Sequence, residues 1–156
     1  MAEAAVPAIE LHPLSVDERT ELIAARGTAQ RVPLTQLAAL PASTSMLYRI
    51  ASLDPQGRIA ESTIVGSLGW RAGQRLRLDV LSNTTVTVQA DPDGVFTLAR
   101  RAHLPLPAAV RRWCGINPGD RVLLAAAPYP GLLLIHTMQA LDAMVAAFHT
   151  PGAESE

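Results

Sequence analysis

Arginine is the residue type in this chain that is best suited to binding an anionic partner. All thirteen basic residues are Arg, and none is Lys. A planar guanidinium group binds phosphate oxygens through two parallel hydrogen bonds and can also recognise guanine edges in the DNA major groove. Six candidate side chains lie at two predicted turns and on one predicted helix: Arg58, Arg100, Arg101, His103, Arg111 and Arg112. They either bind nucleic acid together or form a solvated surface with scattered ion pairs.

The charge of the chain is concentrated in its middle. The net charge is only −1, but residues 47–125 hold ten Arg and six acidic residues, a net +4. Residues 1–46 hold three Arg and five acidic residues, and residues 126–156 hold three acidic residues and no Arg. An anionic partner is therefore expected to bind the central region, where the positive charge is.

Other chemistries have weaker support in the sequence. Cys114 could act as a nucleophile with a histidine as its base, but no third group is indicated to orient that histidine, and a buried core thiol is the simpler interpretation. The single cysteine excludes an internal disulfide. The four histidines lack the spacing of metal ligands, and the glycines do not form a phosphate-binding loop after a strand. The sequence predicts no enzyme activity, no catalytic residues, no metal site and no cofactor.

The stretch Leu106–His136 predicts the elements that carry Arg111 and Arg112. Pro107 suits the first position of a helix, and Gly115 suits a left-handed cap at its end. The spacing of Val110, Trp113 and Cys114 predicts one buried helix face, so that the two arginines point outward. Turns at 117–120 and 128–131 then separate two predicted strands, Val122–Ala127 and Leu132–Ile135.

The same pattern occurs earlier in the chain. Leu68–Leu76 matches Cys114–Val122 at a constant offset of 46 residues. The same offset pairs Ile64 with Val110, Leu78 with Leu124, Val86 with Leu132, and Val88 with Leu134. A repeat of this length indicates duplicated structural units. The other predicted elements are strands Met46–Ser52, Gln74–Val80, Thr84–Ala90 and Val95–Ala99, and helix Ser62–Leu68.

Two motifs give this repeat a family resemblance. The second copy has a Pro-led short helix followed by Gly115-Ile116-Asn117-Pro118-Gly119-Asp120, and the first has the turn Asp54-Pro55-Gln56-Gly57-Arg58. Both resemble the AbrB/MazE/SpoVT family of swapped-hairpin DNA-binding domains. Each copy departs from the pattern where the other keeps it. Glu61 stands where the second copy has Pro107, and the Gly-Arg turn is replaced in the second copy by residues 100–103.

The resemblance implies a mainly β fold with short helices. Two β-β-α-β-β units, residues 46–90 and 91–136, are expected to close into one pseudo-twofold barrel, which family members usually build from two chains. The DNA-contacting face of the family is formed by its hairpin turns and helix flanks, which implies that the six candidate residues bind double-stranded DNA. The implied function is a sequence-selective bacterial transcriptional regulator. The alternative is an antitoxin-like or protein-binding module of the same fold.

The two ends of the chain add further expected elements. Residues 1–45 predict an arm with two short helices, Val16–Arg26 and one beginning at Pro33. Residues 137–156 predict a helix capped by Thr137 and an acidic tail. Four apolar residues form a stripe on this helix, for intramolecular packing or for a dimer of barrels: Met138, Leu141, Val145 and Phe148. No apolar run approaches the ~18 residues that span a bilayer. Because the N-terminus also lacks a secretory pattern, a cytoplasmic protein is expected.

Overall fold

Residues 46–150 of this chain are described by a computed structural model. The two helices predicted within residues 1–45, and the tail predicted after residue 150, lie outside the described residues. The fold is mainly β, as predicted. Its elements in chain order are β1 Leu47–Ser52, β2 Arg58–Ala60, α1 Ser62–Ser67, β3 Arg75–Ser82, β4 Thr85–Ala90, β5 Phe96–Thr97, a 3-10 turn Arg100–Ala102, β6 His103–Pro105, α2 Ala108–Cys114, β7 Arg121–Ala127, β8 Leu132–Thr137 and α3 Met138–His149.

The strands of the two sequence copies are interleaved. A six-stranded antiparallel sheet has the order β1-β7-β8-β4-β3-β5, and β2 pairs with β6 in a separate two-stranded ribbon. Strands β1 to β4 belong to the first copy and β5 to β8 to the second. The pairs β1–β7, β3–β5, β4–β8 and β2–β6 therefore all join one copy to the other. Only the hairpins β3–β4 and β7–β8 pair strands of the same copy.

Reciprocal hydrogen bonds join the two copies at equivalent positions. The backbone N–H of Leu53 donates to the carbonyl of Asp120 at 3.0 Å, and the carbonyl of Leu53 accepts from Gly119 at 2.9 Å. In the other copy, Leu98 N–H donates to Gln74 at 2.9 Å and its carbonyl accepts from Gly73 at 2.9 Å. The two hydrogen bonds that Leu53 makes with the second copy are therefore repeated by Leu98 with the first copy.

The constant offset of 46 residues is correct for α1 and β3 but wrong for β4. Leu78 pairs with Val88, and its equivalent Leu124 pairs with Ile135, so the core equivalents of Val86 and Val88 are Leu133 and Ile135, at an offset of 47. The reason is that five residues separate the paired Val80 and Val86, whereas six separate the equivalent pair Ala126 and Leu133. Because side chains alternate along a strand, this single residue moves Leu132 and Leu134 to the other face of the sheet.

The main core lies between the inner face of the sheet, the β2–β6 ribbon and the helices α1 and α2. Ile59 and Leu104 are directly paired in the ribbon and are each 1% exposed. Ile64 of α1 and Val110 of α2, which the repeat predicted to be equivalent, are both fully buried. The short helices therefore exist because each supplies one apolar side to a core shared by both copies.

Helix α2 departs from the prediction at its N-terminus and in the exposure of Trp113. It begins at Ala108, and Pro107 is its N-cap residue with φ −57° and ψ 147°, one position earlier than expected. Gly115 caps its C-terminus in the left-handed conformation, as predicted, with φ 65°. Trp113 was predicted to be buried but is 45% exposed. The buried side of α2 is centred on Ala109 and Val110, which leaves Trp113 at the rim of the core.

Helix α3 follows β8 without a loop. The Thr137 hydroxyl accepts a hydrogen bond from the N–H of Ala140 at 3.2 Å and so caps the helix. Ala140 is its only buried residue, while Met144, Val145 and Phe148 are 42%, 52% and 85% exposed. Of the predicted apolar stripe, Met138 and Leu141 are half-buried, but Val145 and Phe148 do not pack against the described part of the chain. Over residues 46–150, no helix is both long enough and apolar enough to cross a membrane.

Candidate nucleic-acid interface

The β2–β6 ribbon positions both arginine-bearing turns. Its register pairs Arg58 with Pro105, Ile59 with Leu104, and Ala60 with His103. Side chains alternate along a strand, and the central pair points into the core, so Arg58 and His103 lie on the outer side of the ribbon. The turn before β2 and the 3-10 turn before β6 therefore lie at opposite ends of the ribbon. The outer side of this ribbon, with its two turns, is called the platform below.

The first turn is ordered by Asp54. Its Oδ1 accepts hydrogen bonds from the backbone N–H groups of Gln56 at 2.9 Å and Arg58 at 2.8 Å. Its Oδ2 lies 3.3 Å from Arg58 Nε in a salt bridge. The backbone hydrogen bond from Arg58 is the largest contribution that lowers the pKa of Asp54, so this carboxylate stays ionised and keeps the turn closed. The Arg58 side chain is still 38% exposed.

Arg111 reaches from α2 across this turn. Its Nε donates to the carbonyl of Leu106 at 3.0 Å. A Cβ atom at Gly57 would lie 2.5 Å from the Arg111 Cζ atom, and Gly57 also has a φ of +76°. Glycine at this position therefore makes room for the guanidinium as well as adopting the left-handed conformation. The prediction that Arg111 points outward is wrong, because the side chain is half-buried over the turn.

Arg112 follows Arg111 on α2, and its side chain is exposed. Both line a pocket of about 390 Å³ between α2 and the turn that follows it. The remaining lining residues are Ala108, Gly115, Ile116, Asn117 and Pro118. This pocket offers space next to two guanidinium groups at the same end of the ribbon as Arg58.

The second turn has the same place in the fold but a different construction. Ala99 occupies the position of Asp54, and its N–H donates to His103 at 3.0 Å as Asp54 N–H does to Arg58 at 2.9 Å. Arg101 and Ala102 have φ values of 60° and 57° although neither is glycine, a conformation that costs roughly 1–2 kcal/mol per residue. Arg100 and Arg101 are exposed, and within residues 46–150 neither makes a salt bridge.

The six predicted residues thus form two groups. Arg58 and Arg111 lie at the first turn, with Arg112 beside Arg111 on α2, and Arg100, Arg101 and His103 form the second turn. Sequence reasoning did not foresee the separate roles of Asp54 and Gly57, which order the first turn and seat Arg111. The signal was present in the Asp-Pro-Gln-Gly-Arg segment, where an Asx turn and a left-handed glycine are both typical.

A nucleophilic role for Cys114 is not supported by its surroundings. Its thiol contacts the carbonyl of Ser82 at 4.0 Å, and burial raises its pKa to about 11. His136, one possible base, instead pairs through Nδ1 with the Thr85 hydroxyl at 3.0 Å. Within residues 46–150, no three side chains among His, Cys, Asp and Glu are grouped to hold a metal ion.

Cys114 should react slowly with thiol reagents in the folded protein. Because the thiolate is the reactive form, a pKa of about 11 against the ordinary 9.0 should slow labelling at pH 8 by about 100-fold relative to the unfolded chain. The rate should rise about tenfold per pH unit up to pH ~11. Since the folded state holds this proton more tightly, its stabilising contribution is complete below pH 9 and lost between pH 9 and 11. Labelling at pH 8 as fast as in denaturant would contradict this geometry.

No family model, no curated protein and no solved structure matches this chain. The assignment of a function therefore depends on the residues and the geometry of the chain itself.

Proposed function

We propose that this chain is a sequence-selective double-stranded DNA-binding protein that acts as a transcriptional regulator. In this proposal the interleaved copies are a single-chain version of the swapped-hairpin barrel, and the two groups of basic residues on the β2–β6 ribbon form its DNA-contacting face. The observation that carries the proposal is that five arginines lie at two equivalent turns and on the adjacent helix α2, with Arg111 packed over the first turn.

The dimensions of the platform support DNA as the ligand. Three residues of extended chain separate the two turns, which is about 10 Å along the ribbon. The major groove of B-DNA is about 12 Å wide, so both turns can lie within or beside one groove. The arginines nearest the edges can then contact phosphates, while one or two reach base edges.

The modest positive charge of residues 47–125 suits a protein that makes few contacts with DNA and distinguishes between DNA sequences. A net +4 over residues 47–125 gives limited nonspecific attraction, so affinity depends on well-placed guanidinium groups. The two turns also carry different residues, because Asp54 and Arg58 correspond to Ala99 and His103. A single chain whose two turns differ in this way is expected to prefer an asymmetric DNA sequence, unlike a barrel built from two identical chains.

Replacing Arg111 and Arg112 together by Ala should weaken DNA binding, and circular dichroism checks that the fold survives loss of the Arg111 hydrogen bond to the Leu106 carbonyl. Each lost phosphate contact should lower the slope of log K against log salt by about 0.9. A base-contacting arginine should instead cost ~1–3 kcal/mol and relax the preference at one base pair. The target is first selected from random duplexes at low salt, and binding is then measured by fluorescence anisotropy at several salt concentrations.

The matched control is the double replacement of Arg49 and Arg121 by Ala, which removes the same charge from exposed positions on β1 and β7. It should change affinity only slightly. Equal losses in both double variants would mean that net charge alone attracts DNA, and the proposed face would be wrong. If the unmutated protein selects no sequence at low salt, the regulator proposal fails.

The second candidate function is a protein-binding or antitoxin-like module. The observation in its favour is exposed apolar surface, namely Tyr48 and Ile50 on β1 and the outer part of α3. Failure of DNA selection together with retention of the fold would favour this alternative.

A further inference from the structure

Helix α3 presents more apolar surface than a solvent-facing helix normally does. Every residue from Asp142 to Thr150 is exposed, and six of them are apolar: Ala143, Met144, Val145, Ala146, Ala147 and Phe148. A helix that is apolar on most sides is usually buried, and an isolated helix of 12 residues is marginally stable in water. Phe148, at 85% exposure, is the most exposed large apolar side chain described. This end of α3 therefore needs a covering surface.

The stripe on α3 is complementary to itself. Met138, Leu141, Val145 and Phe148 are separated by three, four and three residues. This order of spacings reads the same in both directions. Two antiparallel copies of the helix therefore match along the whole stripe, with Leu141 facing Val145 and Met138 facing Phe148 of the other copy. A twofold contact requires this kind of self-complementary surface.

We propose that α3 pairs antiparallel with α3 of a second copy of this chain, so that the protein forms a twofold dimer through its C-terminal helix. The inference is independent of DNA binding, because it rests on the spacing of the stripe and on the exposure of Val145 and Phe148. Met138 and Leu141 are half-buried against their own chain and keep part of their surface for the second copy.

A pocket at the start of α3 fits the residue that this pairing brings there. A space of about 300 Å³ is lined by Thr137, Met138 and Gln139 together with residues of α2 and β7. Antiparallel pairing places Phe148 of the second copy beside Met138, at this pocket. A cavity of about 150 Å³ already accommodates benzene, so the volume is sufficient for a phenyl ring.

Charge and size are also compatible with this pairing. Asp142 and His149 are the only ionisable side chains from Met138 to His149, so two copies can approach without a cluster of like charges. Antiparallel helices also oppose their dipoles favourably. The helix is about 18 Å long, and pairing along it buries on the order of 1,000 Å² in total, near the lower limit of specific interfaces. A dissociation constant in the micromolar range is therefore expected.

Sedimentation velocity of the full chain without DNA tests the proposal. From about 1 to 200 µM, the unmutated protein should change from monomer to dimer. Phe148→Glu and Val145→Glu should each weaken the dimer at least tenfold, because they bury a charge in the stripe. Ala143→Glu is the matched control, since residue 143 lies on the opposite side of the same helix and the change adds the same charge. Tyr129→Glu is a second control, at a 77% exposed aromatic residue in the turn between β7 and β8.

Both control variants should dimerise as the unmutated protein does. A chain that remains monomeric over the whole range would overturn the proposal. If that monomer is also destabilised by Phe148→Glu in urea unfolding, residues of the same chain cover the helix. Equal weakening by Ala143→Glu and Phe148→Glu would also overturn it, because the contact would then not be through the stripe. Circular dichroism of each variant shows whether the fold is retained, and Val145→Glu replaces Phe148→Glu if the latter fails to fold.

Discussion

Separating the two copies between Ala90 and Asp91 is expected to leave neither half folded as a monomer. In the first half, β1 and β2 lose their partners β7 and β6, and β4 loses β8. In the second half, β5 loses β3. Each half keeps one hairpin, and a single hairpin is at best marginally stable in water. Heteronuclear NMR of residues 1–90 and 91–156, prepared separately, should show poorly dispersed amide signals.

Mixing the two halves is the control for this experiment. Equimolar fragments should recover dispersed amide signals, because all of the strand pairs between the copies can form again. Assembly of the six-stranded sheet should then depend on the fragment concentration, whereas in the intact chain the sheet forms within one polypeptide. A single half that is monomeric and gives a dispersed spectrum would contradict the interleaved arrangement.

Gly94→Ala is expected to be the most destabilising single methyl addition, at about 3 kcal/mol or more. Gly94 is buried in the turn that leads from β4 to β5, where the chain crosses β3. A Cβ atom would lie 2.5 Å from the carbonyl carbon of Leu76 and closer still to its oxygen. Backbone atoms cannot rotate away as a side chain can. Relief would also disturb the hydrogen bond of 2.8 Å from Arg75 Nε to the Gly94 carbonyl.

Gly66→Ala is expected to increase the free energy of unfolding, in contrast to Gly94→Ala. Gly66 is exposed within α1, and apart from its chain neighbours and the backbone of its own helix no atom lies within 4 Å of a Cβ placed there. Alanine should therefore increase stability by ~0.5–1 kcal/mol, since glycine is a poor helix former. Urea unfolding at equilibrium measures both changes. A Gly94→Ala variant within about 1 kcal/mol of the unmutated protein would mean that the β4–β5 turn is not held against β3.

The local elements of this fold were accessible from the sequence. Turn and cap residues such as Gly115 and the apolar spacing around Val110 depend on interactions between near neighbours, and they predicted α2 and the hairpin after it. The repeat also predicted that Ile64 and Val110 are equivalent, since both occupy the same buried position. These features are determined within a few residues of chain.

The remaining features depend on contacts between distant segments. The shift from Leu132 to Leu133 as the equivalent of Val86 follows from the lengths of two turns, which repeat spacing does not reveal. Exposure of Trp113 depends on how α2 is rotated against the core. The half-buried path of Arg111 needs the open space above Gly57, which belongs to the other copy. For the candidate site, the sequence predicted that the six side chains lie at two turns and on one helix, but not that Arg111 packs over the first turn.

Because the two copies are interleaved within one polypeptide, their strands do not exchange between different chains in a cell. A sheet assembled from two separate chains can exchange subunits with a related chain and so form mixed species. Here the pairs β1–β7 and β4–β8 join strands that are covalently connected, so the partner of each strand is always present at equal amount. The two halves can then carry different residues at equivalent positions, as at Asp54 and Ala99, without any mixed or mismatched assembly being produced. Paralogous chains built in this way are insulated from one another at the level of strand pairing.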